Sequence, residues 1–144
     1  MGVTIRCKKT NHSIDLGYFG FMLLRRKVAE LQGGPFQAVY EEICSYHPGK
    51  GNETAEAFDK RINARIVEIL DTKQADVKIV DFLLQCDAEG RIRYGACKSL
   101  LKVIGDYDDD VLYGYAGRPD CAKFADFKRL LQECADHRCD LIWD

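Results

Sequence analysis

Residues 106–121 read D-Y-D-D-D-V-L-Y-G-Y-A-G-R-P-D-C, and no other stretch limits the fold as strongly. Four carboxylates fall within residues 106–110, followed by glycines, tyrosines and an arginine that break helical periodicity. The segment separates two stretches that do read as helices. A connection of this length without structure of its own is uncommon in a compact domain, and is usually functional or disordered. Tyr107, Tyr113 and Tyr115 argue against disorder.

The rest of the chain has an ordinary globular balance. Apolar residues make up 47% and charged residues 31% of 144 positions, enough for one domain with a sizeable core. The formal net charge of −2 argues against a chain built to bind nucleic acid. Charge is nevertheless uneven. Residues 1–30 hold six Lys or Arg against two acids, and residues 106–144 hold five against ten, so the two ends either neutralise each other or face a partner. No apolar run reaches the length of about 18 residues that suggests a membrane span, and no apolar signal core opens the chain. The expected location is the cytoplasm. Seven cysteines, most among apolar neighbours, read as buried thiols in a reducing compartment.

Periodicity outlines the elements. Residues 3–7 alternate as a short strand, and residues 8–17 read as a polar turn. Phe21, Leu24, Val28 and Leu31 share a helical face over about residues 18–32, which Gly33, Gly34 and Pro35 end. Helices are also expected over about 36–46, 53–70, 75–86 and 96–105. The helix over about 75–86, apolar nearly all round, is expected to be the most buried, with a strand as the alternative. Residues 90–94 suggest a strand. After the acidic segment, Pro119 and Asp120 suit a first helical turn, and Cys121, Phe124, Phe127, Leu131 and Cys134 form that helix's buried stripe. Residues 139–143 close the chain as a strand. The expected fold is α+β: a single domain over residues 1–144, mostly helical with five or six helices. Its small sheet of two or three strands is formed by the terminal strands and residues 90–94.

Chemistry-bearing constellations are few. The run from Asp106 to Asp110 follows a helix C-terminus, where the dipole disfavours anions. It needs an offset from Arg118 and the N-terminal basic residues, from a cation, or from a partner. It is not an EF-hand, since Val111 and Gly117 stand where the turn glycine and the bidentate glutamate belong. Gln85 and Ala96 likewise disqualify residues 85–96. Cys134-x-x-His137-x-Cys139 has zinc-ligand residue types, but Cys121 lies over three turns away and Cys7 could approach only if the terminal strands pair. Core thiols with a surface histidine are therefore the expectation. Asn11, His12, Ser13 and Asp15, ahead of a helix, form either a capping segment or an anion contact. No nucleophile elbow, phosphate loop or dinucleotide fingerprint is present.

Three segments together, N-H-S-I-D-L-G-Y-F-G-F at 11–21, Y-G-x-C-K at 94–98 and the acidic stretch with F-K-x-L-L up to residue 131, resemble small uncharacterised proteins encoded by prophages and mobile elements of Gram-positive bacteria. The resemblance carries over no activity and no functional residue. It implies a setting: an accessory phage protein in the host cytoplasm that binds a host factor stoichiometrically, with inhibition of a defence or regulatory system as one role.

The expectation is a non-enzymatic binding protein with no cofactor, metal ligand or catalytic residue, and with neither nucleic acid nor membrane as partner. Its contact residues would be Asp106, Tyr107, Asp108, Asp109, Asp110, Tyr113, Tyr115 and Arg118, with His12 as an anion contact. The alternative is a protein that sequesters a small, nucleotide-like anion between Tyr113, Tyr115 and Arg118, with His12 or Arg6 on the anionic group. An enzyme would need His12 or His137 in a cleft within hydrogen-bond reach of a carboxylate.

Overall fold

The computed structural model describes residues 2–49, 51, 53–114 and 121–144. The elements run β1 (Gly2–Cys7), β2 (Ser13–Gly17), α1 (Tyr18–Gln32), α2 (Gly34–Ser45), α3 (Ala55–Asp71), α4 (Val77–Leu84), β3 (Gly90–Ile92), α5 (Tyr94–Ile104), α6 (Phe124–His137) and β4 (Leu141–Trp143). The fold is α+β and mostly helical. The strands form one sheet of order β2-β1-β4-β3, antiparallel throughout. Among the described residues, no helix is long and apolar enough to cross a membrane.

The two ends of the chain meet at the centre of this sheet, where Ile5 pairs with Trp143 and Cys7 with Leu141. Strand β1 alternates as its sequence requires, with Val3, Ile5 and Cys7 buried and Thr4 and Arg6 outside. Residues 13–17, expected as part of a polar turn or as a capping segment, are instead an edge strand. Ile14 pairs with Ile5 and Leu16 with Val3, and the Thr4 hydroxyl donates to Asp15 at 2.8 Å. Only residues 8–12 form the turn, with Asn11 in the left-handed region at φ 63°, a conformation asparagine tolerates better than most residues. The sheet therefore has a fourth strand beyond the three suggested by local pattern.

Helix α4 is also narrower than its composition suggested. Ile79, Val80, Phe82 and Leu83 are buried, but Val77 and Leu84 are 59% and 42% exposed, because an eight-residue helix on the sheet's flank has one face to bury. Helix α6 runs from Phe124; Pro119 and Asp120, expected in a first helical turn, lie outside the described residues. The Asp126 carboxylate accepts the Lys123 N–H at 2.9 Å and so closes the first turn. Cys121 precedes the helix.

The core is aromatic. Trp143 from β4 lies edge-on to Phe21 of α1 with centroids 5.7 Å apart, and Phe82 packs against Trp143 at 5.7 Å and against Phe127 at 6.0 Å. Such pairs add about 0.5–1.5 kcal/mol each beyond area burial. The indole N–H donates to the Cys86 carbonyl at 3.0 Å. Gly90 is required beside it, because a methyl group there would overlap the indole ring. Into this box α1 inserts Arg25, 2% exposed, its guanidinium 4.2 Å from the Phe21 ring centre and 5.4 Å from those of Phe82 and Trp143. One edge of the guanidinium donates to the Gln85 carbonyl at 2.9 Å and to Asp87 at 2.8 Å.

Candidate functional site

The acidic segment is a docked loop as far as residue 114. Helix α5 ends on Gly105, whose N–H donates to the Leu101 carbonyl at 2.9 Å. The anion-unfavourable helix end acquires cations from two other helices. Lys128 of α6 donates to the Tyr107 carbonyl at 3.0 Å, and the Lys27 ammonium of α1 lies 5.2 Å from the Tyr107 ring centre. The expected offset from Arg118 falls outside the described residues, as does Tyr115.

Asp109 organises the loop from inside. Its carboxylate accepts the Tyr113 hydroxyl at 2.6 Å, the Tyr107 hydroxyl at 3.1 Å and the Val111 N–H at 3.1 Å. Bonds to an ionised acceptor contribute about 1.5–3 kcal/mol each. Burial, then the hydrogen bond to this carboxylate, raises both phenols above their ordinary range. The Tyr113 side chain is 2% exposed and packs on Phe124 at 6.1 Å, while half-buried Tyr107 stands edge-on to Phe124 at 5.2 Å.

The loop's backbone is equally engaged. The Tyr113 N–H donates to the Ala122 carbonyl at 2.8 Å, and its carbonyl accepts the Gly17 N–H at 3.1 Å. Leu112 bridges Lys123 in an antiparallel pairing. The closest approach is to α1, where Gly20 abuts the Tyr113 backbone so tightly that a methyl group on Gly20 would overlap the carbonyl oxygen. Three residues expected at a partner's surface thus have internal roles: Asp109 as acceptor, Tyr113 as core, Tyr107 as the half-buried cover of α6. Buried rings cannot supply contact area, which corrects the expectation for Tyr113.

Asp106, Asp108 and Asp110 are exposed, with Asp108 also accepting the Asp109 N–H at 2.9 Å. Beside them Val111 and Leu112 are 47% and 54% exposed, and at the start of α1 Phe19 is 69% exposed. The docking of Gly20 on Tyr113 sets Phe19 and Leu112 on two chain segments in contact. This apolar edge with an acidic flank was not marked by composition. Its signal was that Phe19 lies off the buried stripe of Phe21, Leu24 and Val28.

His12 is not at this loop. It sits in the β1–β2 turn with its side chain 74% exposed, Nδ1 2.9 Å from the Glu133 carboxylate. Glu133 lies nine positions beyond Phe124, about 13 Å along α6. Arg6 pairs instead with Asp144 at 2.9 Å. Among the described residues, His12 and Arg6 are thus engaged by Glu133 and Asp144, and the Tyr115 and Arg118 part of the small-anion constellation lies outside the described residues. A histidine does reach a carboxylate, but on an exposed turn rather than in a cleft. Cations converge elsewhere: Lys78, Arg91 and Arg93 line an open groove of about 680 Å³ with Tyr94 at the start of α5. Compared with known protein families, curated proteins and solved structures, the chain matches none.

One further grouping depends on strand pairing. Because β1 and β4 are neighbours, Cys7 comes beside Cys139, with sulfurs 3.2 Å apart, and Cys134 of α6 completes a set of three whose Sγ atoms lie within 4.8 Å of one another. The approach of Cys7, conditional in the sequence, takes place. Burial tends to raise the Cys7 thiol, but the Thr10 and Lys9 donors of the following turn and the Cys139 thiol outweigh it and bring it down to about 7.

Proposed function

We propose that this chain is a non-enzymatic binding protein, an accessory protein of phage or prophage origin acting in the host cytoplasm. It engages a host protein through the outer face of the 106–112 loop together with the first turn of α1. The observation that carries this reading is the exposure of Phe19, Val111 and Leu112, on two segments that meet at Gly20 and Tyr113, with Asp106, Asp108 and Asp110 exposed on the same loop. Clustered exposed apolar side chains mark interaction sites more often than scattered ones. Acidic rim residues favour a basic partner surface and accelerate encounter. Inhibition of a defence or regulatory system by occupation of that partner fits a stoichiometric binder.

The test separates the loop's outer face from its interior. Asp108→Lys with Asp110→Lys reverses two exposed charges, and Phe19→Glu removes the apolar edge. Both variants should keep the wild-type unfolding midpoint. In affinity capture from host lysate, with mass spectrometry of proteins and small molecules, a partner taken by wild type should be lost from both variants. Wild-type capture should also weaken as salt rises. Recovery of the same partners by all three proteins would move the interface elsewhere.

A second reading has its own support in the groove beside α5. Lys78, Arg91 and Arg93 around Tyr94 suit a small, flat anion such as a nucleotide. Enrichment of a nucleotide-like small molecule in the same capture, unaffected by the loop variants, would favour it.

A further inference from the structure

We propose that Cys7, Cys134 and Cys139 form a binding site for a single thiophilic metal ion, zinc in the first instance, that ties the chain's two ends to α6. The three donors come from three places in the chain: the end of β1, the last turns of α6 and the approach to β4. Their Sγ atoms already lie within 4.8 Å of one another. Zinc–thiolate bonds of about 2.3 Å in a tetrahedral shell would space the sulfurs by about 3.8 Å. The closest pair, Cys7 and Cys139 at 3.2 Å, needs only a small separation to reach that spacing.

The surroundings hold the sulfurs in place and leave a way to them. Cys7 and Cys134 are fully buried, while Cys139 is partly exposed and offers the ion a way in. The turn after Cys7 is closed by backbone bonds, the Cys7 N–H donating to the His12 carbonyl at 3.0 Å and the Asn11 N–H to the Cys7 carbonyl at 2.8 Å. Cys97 of α5 is also a buried thiol. The Thr10 hydroxyl donates to Glu133, which also holds His12. Those contacts fix the turn that presents Cys7, as supporting hydrogen bonds commonly do around metal sites. On binding, each of the three S–H bonds gives way to an S–metal bond and three protons pass to solvent. No oxidant or reductant is involved.

The full chain, reduced and stripped with a chelator, should take up one zinc ion per molecule on addition of zinc and removal of excess, with a higher unfolding midpoint. Cys139→Ser, the variant at the least buried position, should lose stoichiometric uptake. Cys86→Ser, at an exposed thiol outside the set, should retain it. Cobalt substitution of the wild-type chain gives a readout that needs no variant to fold: thiolate-to-cobalt charge transfer with the intense ligand-field bands of a tetrahedral site. Failure of the reduced chain to bind zinc overturns the proposal, whether the sulfurs are then found as thiols or as a Cys7–Cys139 disulfide. Uptake that survives in Cys139→Ser, or that disappears in Cys86→Ser, overturns it as well.

Discussion

Replacing Gly20 by alanine should destabilise the protein by about 3–5 kcal/mol, although alanine is the better helix former by about 1 kcal/mol. The opposing term is steric. The added methyl would occupy the space of the Tyr113 carbonyl oxygen, and a backbone atom cannot yield as the end of a flexible side chain can. The loop must lift from α1. It then gives up the Gly17–Tyr113 hydrogen bond and the burial of Tyr113, a loss of about 2–3 kcal/mol for a large side chain. With Tyr113 goes its bond to Asp109. Denaturant unfolding of the variant measures the cost, and Phe19→Ala one position earlier serves as control. Phe19 is 69% exposed, so its loss should change stability by no more than about 0.5 kcal/mol. In Gly20→Ala the Tyr113 phenol should return toward the ordinary range, since burial is the main cause of its upward shift. A Gly20→Ala protein as stable as wild type would mean that the loop does not rest on α1.

Arg25→Ala should cost a similar amount, about 3–5 kcal/mol, for a different reason. Truncation leaves a cavity among Phe21, Phe82 and Trp143 and removes three cation–aromatic contacts, each worth about 0.5–2 kcal/mol. The charge itself contributes less than its contacts suggest. Burial depresses the basicity of the guanidinium, its Nε and Nη2 have no hydrogen-bond partner, and its ion-pair partner Asp87 is 68% exposed. Arg25→Met, which refills the volume without the charge, should therefore recover more than half of the loss. If methionine destabilises as much as alanine, the charge rather than the bulk holds the box together.

These two positions also show what a sequence can convey. Helical spacing placed Phe21, Leu24 and Val28 on the buried face of α1, and all three are at most 1% exposed. Arg25 lies on that same face, four residues after Phe21, but its charge marked it as surface. Only the aromatic rings contributed by α4 and β4 make its burial tolerable. Strand β2 was hidden for a related reason. Ile14 and Leu16 are its only large apolar residues, and their strand character comes from pairing with β1. Composition also singled out the loop correctly as unusual while leaving its orientation open. Asp108 and Asp109 are adjacent and chemically identical, yet one is exposed and the other accepts three hydrogen bonds from within. The difference is set by the missing side chain of Gly20, far away in the chain. The thiol set is similarly non-local, joining Cys7 to Cys139 across 132 positions.

Amide hydrogen exchange at Gly17 and Tyr113 tests most directly whether the acidic loop is part of the folded framework, with only its outer face free for a partner. Both N–H groups are bonded where the loop meets β2 and the start of α6. The expected result is slow exchange approaching that of the buried turns of α6, alongside fast exchange at Asp108 and Asp110. Exchange at Gly17 and Tyr113 as fast as at those two aspartates, while α6 remains protected, would contradict the account.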